Sequence, residues 1–154
     1  MILLVCGTRT LTRKVSDEVL ARSIAAQVAT FLVVGDSDGP DTHAKKWAEA
    51  RGIPGACLVA RWGQEGHAAG PNRNTRLVNR TLAEAQIQQQ PAACVAIWDA
   101  DSPGTLDTIK KALAAGIGLE PWIIKGGPPR QATPAELANL ISRAEAALAR
   151  RRQK

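Results

Sequence analysis

The chain has 154 residues, 45% of them apolar and 22% charged, with a formal net charge of +6. That length suits a single domain able to bury roughly 70% of its extended surface, and the composition excludes a disordered chain. No apolar run approaches the ~20 residues of a membrane-spanning helix, so no membrane partner is expected.

Five continuous apolar runs read as strands: Ile2–Cys6, Thr30–Val34, Ala56–Ala60, Ala93–Trp98 and Leu119–Ile124. Unbroken apolar strands, without alternation, are those covered on both faces. The opening run from Met1 is too short for a signal-peptide core and is taken as the first strand. Cys6, Cys57 and Cys94 each lie in such a run and read as small buried hydrophobes. Their odd number and the lack of a Cys-x-x-Cys pair argue against disulfides and zinc and fit a reducing cytoplasm.

Helical segments fall between the strands. Ser16-Asp17-Glu18 opens a helix to about Val28 with acids in its first turn. Asp41 is placed to cap a helix that buries Ala44, Trp47 and Ala48 and stops at Gly52. Pro71 suits the first position of a longer helix carrying Leu77, Val78 and Leu82, ended by Gln88-Gln89-Gln90-Pro91. Pro103 opens a helix with Leu106, Ile109 and Leu113 on one face, closed by Gly116. Thr133-Pro134-Ala135-Glu136 is a capping box that starts an amphipathic helix over about 134–152, with Leu137, Leu140, Ile141, Ala144 and Leu148 at helical spacing. The order βαβαβαβαβα predicts an α/β fold over residues 1–154: a Rossmann-like three-layer α/β/α arrangement with a five-stranded, mostly parallel sheet.

The positive charge is unevenly spread. Residues 143–154 hold Arg143, Arg150, Arg151, Arg152 and Lys154 against Glu145 alone. A cationic last turn complements the helix dipole, and a solvated helix end is favoured over a nucleic-acid arm. Five aromatic residues, four Trp and one Phe, give no evident stacking platform for single strands.

Open α/β sheets bind ligands outside the carboxyl ends of their strands, which directs attention to four loops. The first, Gly7-Thr8-Arg9-Thr10, offers close backbone approach, hydroxyls and a guanidinium fork. The second, Gly35-Asp36-Ser37-Asp38-Gly39-Pro40-Asp41, enters a helix N-terminus but carries three acids. Asp36 and Asp38 suit ribose hydroxyls or a cation better than phosphate, while Asp41 reads chiefly as a helix cap. The third, Arg61 to Asn74, is long, polar and glycine-rich. Trp62 there offers either a face for a base or a buried anchor for the loop. Arg73, read in a first helical turn, runs against the dipole and suggests an anion partner. The fourth, Asp99 to Thr105, presents a Ser102-Pro103-Gly104-Thr105 helix start, which is either a phosphate cradle or a simple cap at Ser102. His43 and His67 show neither triad nor metal-ligand spacing.

Taken together, Gly7-Thr8-Arg9-Thr10, the glycine-aspartate turn with Asp41 and Ala44-Lys45-Lys46-Trp47-Ala48, Arg61-Trp62 and the block Gly66 to Asn74 resemble the YspA-like branch of the SLOG superfamily, named for the Smf/DprA and LOG proteins. The resemblance covers roughly residues 1–124 and is most specific over Gly66 to Asn74. It implies a Rossmann-like domain, often dimeric or larger, that binds a nucleotide or nucleotide-derived ligand. By position, it implies ligand contacts from Gly7, Thr8, Arg9, Gly39, Asp41, Arg73, Asn74, Gly104 and Thr105; the composition of the loops adds Gly35, Asp36, Asp38, Trp62, Gly70 and Ser102 as expected contacts, with no metal expected. The helix after Pro71 and the last helix are the candidate interfaces between copies.

The chain departs from the LOG pattern at its catalytic end. The LOG enzymes follow their Gly-Thr phosphate loop with a Glu used in N-glycosidic cleavage, and the matching position here is Thr108, one residue after Asp107. One residue is a turn of ~100° on a helix, so Asp107 is not a simple replacement. Asn74 stands where those enzymes carry Lys. Binding without rapid turnover is therefore the leading expectation. An N-glycosidase using Arg73 with Asp101 or Asp107 is the first alternative, and a DprA-like single-strand binder using the basic tail is the second.

Overall fold

A computed structural model describes residues Met1–Lys154. Its strands are β1 (Ile2–Gly7), β2 (Phe31–Gly35), β3 (Gly55–Leu58), β4 (Ala92–Trp98), β5 (Gly118–Ile123) and β6 (Arg130–Gln131). The sheet order is β3-β2-β1-β4-β5-β6, parallel except for β6, which runs antiparallel to β5. The fold is thus the expected Rossmann-like α/β, with six strands instead of five. The additional strand is two exposed residues long. Only pairing of Trp122 with Gln131 and Ile123 with Arg130 defines it, and two polar residues carry no hydrophobic pattern.

The helices are α1 (Arg13–Arg22), α2 (Ile24–Gln27), α3 (Pro40–Ala50), α4 (Trp62–Glu65), α5 (Ala69–Gln88), α6 (Pro103–Ala114) and α7 (Pro134–Arg152). Ile2, Leu3, Leu4 and Val5 of β1 are fully buried, and burial of such a side chain is worth about 1.5–3 kcal/mol. Successive strand residues point to opposite faces. Leu3 and Val5 therefore join a cluster with α1, α2 and α3 through Val19, Leu20, Ala25, Ala44 and Trp47. Ile2, Leu4 and Cys6 join the opposite cluster with α5, α6 and α7 through Leu77, Ile109, Leu137 and Ala144. No helix is long and apolar enough to cross a membrane.

Several local expectations are corrected. The first helical segment is two helices, because Ser23 takes an extended backbone (φ −68°, ψ 124°) and its hydroxyl caps α2 by accepting from Ala26 N–H. Helix α1 starts earlier, with Thr12 accepting from Val15 N–H, so Asp17 and Glu18 lie beyond its first turn. The long third loop is largely helical: α4, a 3-10 turn (Gly66–Ala68) and then α5. Pro71 is consequently the third residue of α5, and Arg73 the fifth. Strand β3 is an edge strand with alternating exposure, and Cys57 on it is exposed. Leu82 and Leu113, read as core residues, are 39% and 46% exposed. The capping box at Thr133 is present with both of its bonds.

Candidate functional site

Strand order reverses between β1 and β4, whose six-residue parallel ladder runs from Ile2↔Ala92 to Gly7↔Ile97. A cleft of about 710 Å³ opens at the carboxyl end of this switch point. Cys6 and Gly7 from β1, Asp41 from α3, Gly70, Arg73 and Asn74 from α5, and the first two turns of α6 line it.

Thr8 builds one rim without lining the cleft. Its Oγ1 donates to Asp99 Oδ1 at 3.0 Å and accepts from the Asp99 N–H at 3.1 Å. Asp99 Oδ1 also accepts from the Asp101 and Ser102 amides at 2.9 and 2.8 Å. This carboxylate fixes the entry to α6, with Ala100 held at φ 66°. Asp99 was absent from the sequence-derived contacts, although an Asp two and three residues before the amides it accepts from is a recognisable turn signal.

Helix α6 begins without a side-chain cap. Ser102 stands at the cap position, but its Oγ accepts from Thr105 Oγ1 at 3.2 Å. The simple-cap reading of Ser102 is thereby corrected. The first amides of an α-helix lack internal acceptors, so this end presents partial positive charge beside Gly104 and Thr105.

Asp36 does not line the cleft. It receives Arg73 Nη1 in a short ion pair and the Ala60 N–H at 3.3 Å. Arg73, 8% exposed, also donates from Nη2 to Ser37 Oγ at 3.3 Å and from Nε to Asn74 Oδ1 at 3.1 Å. Asn74 Nδ2 continues to Asp107 Oδ2 at 3.0 Å, and Lys111 Nζ holds the same oxygen at 2.8 Å. An acid–base chain thus crosses from the end of β2 over α5 to α6. Arg73 is placed by these partners, not by an exposed first turn.

Gly35 and Gly39 also lie outside the lining. A Cβ on Gly35 would fall 2.6 Å from Arg73 Nη1 and 2.7 Å from Asp41 Oδ2, so this glycine makes room for both. Gly39, at φ 82°, packs on the backbone of Arg9, where a Cβ would come within 2.6 Å of the carbonyl oxygen. Asp38 is exposed and outside the lining. Asp101 is outside the cleft lining and receives Arg151 Nη2 at 3.2 Å on the surface.

Asp41 is not the helix cap. Gly39 occupies that position, and Asp41 is the second residue of α3. Its Oδ2 accepts from Ser37 N–H at 3.2 Å, and the residue is 5% exposed. Burial pushes its carboxyl up to about 7, with Arg73 and the Ser37 N–H opposing that rise and Asp36 adding to it. His43 lies outside the lining, with Nδ1 2.8 Å from Ser16 Oγ.

Trp62 is 61% exposed at the cleft rim, which removes the buried-anchor reading. Gly70 lies under its ring, where a Cβ would sit 3.4 Å from Cη2. The fourth wall was not foreseen: Glu145, Leu148, Ala149 and Arg152 of α7 complete the cleft. Glu145 is held to Lys110 of α6 at 2.6 Å. The basic tail is therefore the folded end of α7, lying against the domain. Its amphipathic pattern announced a buried face but not which neighbour it would meet. Among the lining cations, Arg9 and Arg152 form no ion pair.

No family model matches the chain. The search of curated proteins finds no match either.

Proposed function

We propose that the chain binds a nucleotide or nucleotide-derived ligand in this cleft, in keeping with its resemblance to the SLOG superfamily. The carrying observation is the convergence on one cleft of the uncapped α6 N-terminus, the unpaired guanidinium groups of Arg9 and Arg152, and the exposed ring of Trp62. Phosphate is assigned to the first turn of α6, and a base to the Trp62 face. Arg73 acts mainly by holding Asn74 and the β2 loop in place, since Asp36 already offsets its charge. The test is a melting-temperature screen of mono-, di- and cyclic nucleotides, NAD and ADP-ribose, with chromatography of the same mixtures. Stabilisation with intact ligand supports the proposal; no shift from any member of the panel overturns it.

One observation favours hydrolysis as a second reading. Asp107 lines the cleft one residue before Thr108, the position of the LOG glutamate. Thr108 itself is buried and donates to the Gly104 carbonyl at 3.3 Å. A carboxylate beside a breaking glycosidic bond stabilises the developing positive charge. Free base accumulating in the chromatograms, and lost in Asp107→Asn, would establish this reading. The nucleotide proposal also includes self-association through α5, whose Leu82 and Ile87 are exposed; light scattering tests it.

A further inference from the structure

Three carboxylates line the cleft, and two have cations. Asp107 is held by Lys111 at 2.8 Å and Glu145 by Lys110 at 2.6 Å. Asp41 has none. Its one hydrogen bond from the protein is the Ser37 N–H at 3.2 Å to Oδ2, which leaves Oδ1 free in a residue that is 5% exposed and lines the cleft. The nearest cation, Arg73, is committed to Asp36, Ser37 and Asn74 and makes no ion pair with Asp41.

The groups around Asp41 come from every neighbouring element. Arg73 of α5 favours the charged carboxylate, and Asp36 at the end of β2 opposes it. The Cys6 thiol on β1 is raised chiefly by its contact with Cys94 and by burial, and the Cys57 thiol on β3 chiefly by burial, with Asp41 adding a smaller rise to each. Arg9 lines the same cleft from the loop after β1. A charged Asp41 would face a phosphorylated ligand with a like charge inside a partly desolvated site. A neutral carboxylic acid would instead supply a donor there.

We propose that Asp41 meets the ligand as a neutral acid, donating a hydrogen bond from the cleft floor to an uncharged acceptor such as a nucleobase ring nitrogen or carbonyl, so that the anionic ligand and one proton bind together. This rests on the nucleotide reading above and adds a pH gate to it. The position of the Asp41 titration near neutrality, caused mainly by burial, places the gate in the physiological range.

The test is isothermal titration calorimetry of the full chain with ADP-ribose and with cyclic AMP, in buffers of different ionisation enthalpy. These phosphodiester probes hold their charge, whereas a phosphomonoester itself titrates at about 6. Wild-type affinity should fall about tenfold per pH unit above about 7, with net proton uptake on binding. Asp41→Asn keeps a donor and an acceptor; it should bind with little pH dependence. Flat wild-type binding without proton uptake would overturn this inference and leave the nucleotide reading standing. An unchanged slope in Asp41→Asn would do the same. Failure of both probes to bind wild type at about pH 6 overturns this inference, and the nucleotide reading falls with it only when the rest of the panel fails as well. Proton uptake is measured on wild type alone, so the outcome does not depend on the variant folding.

Discussion

Arg73 Nη1 donates to Asp36 Oδ1 across 37 positions of sequence, and this pair ties the start of α5 to the end of β2. The same guanidinium reaches Ser37 and Asn74, so one side chain joins the α5 wall of the cleft to the loop after β2. Its own side chain is 10% exposed and that of Asp36 is 30% exposed. The pair is therefore more shielded from solvent than a surface ion pair.

Removing Arg73 leaves Asp36 without its cation and Asn74 Oδ1 without a donor. Arg73→Ala should lower unfolding stability by about 1–3 kcal/mol in urea titrations. Arg73→Lys should recover only part of that, because an ammonium cannot reproduce a planar three-way fork. Full recovery by Lys would show that charge alone matters.

The buried carboxyl of Asp41 makes stability depend on pH. Its folded value is raised from 3.8 to about 7, so the folded state holds a proton that the unfolded chain releases. The resulting stabilisation is complete below 3.8 and is lost as pH rises through about 7. Across that window each pH unit costs about 1.4 kcal/mol at this group. The stability of wild type relative to Asp41→Asn should therefore fall with rising pH, as read from denaturant midpoints. A constant difference would contradict the assignment.

Gly39 combines a φ of 82° with contact on the Arg9 backbone. Gly39→Ala should cost about 1–3 kcal/mol from the backbone alone and displace Arg9 from the cleft. Gly127→Ala, which meets open space at an ordinary φ, should stay within about 0.5 kcal/mol of wild type. Thermal melts of both variants decide it.

Trp62 is exposed, so Trp62→Ala should change the melting temperature little. If its ring carries the base, the same change should remove about 1–3 kcal/mol of nucleotide affinity. Equal affinity in the two proteins would remove Trp62 from the site.

The sequence by itself determined what chain neighbours decide. Continuous apolar runs gave β1 to β5, Pro103 and Gly116 bounded α6, and Thr133 with Glu136 fixed the start of α7. The loop after each strand end was likewise legible, because a parallel sheet puts those ends together. Tertiary structure decided the rest. Strand β6 exists only through its ladder to β5. The end of α7 became a cleft wall because its apolar face met α6. Asp41 passed from an expected cap to a buried acid, and Arg73 from an expected anion ligand to the partner of Asp36. Caps, turns and periodicity depend on residues a few positions apart. Desolvation and charge pairing depend on what approaches through space, and for Asp41 those neighbours come from β1, β2 and α5.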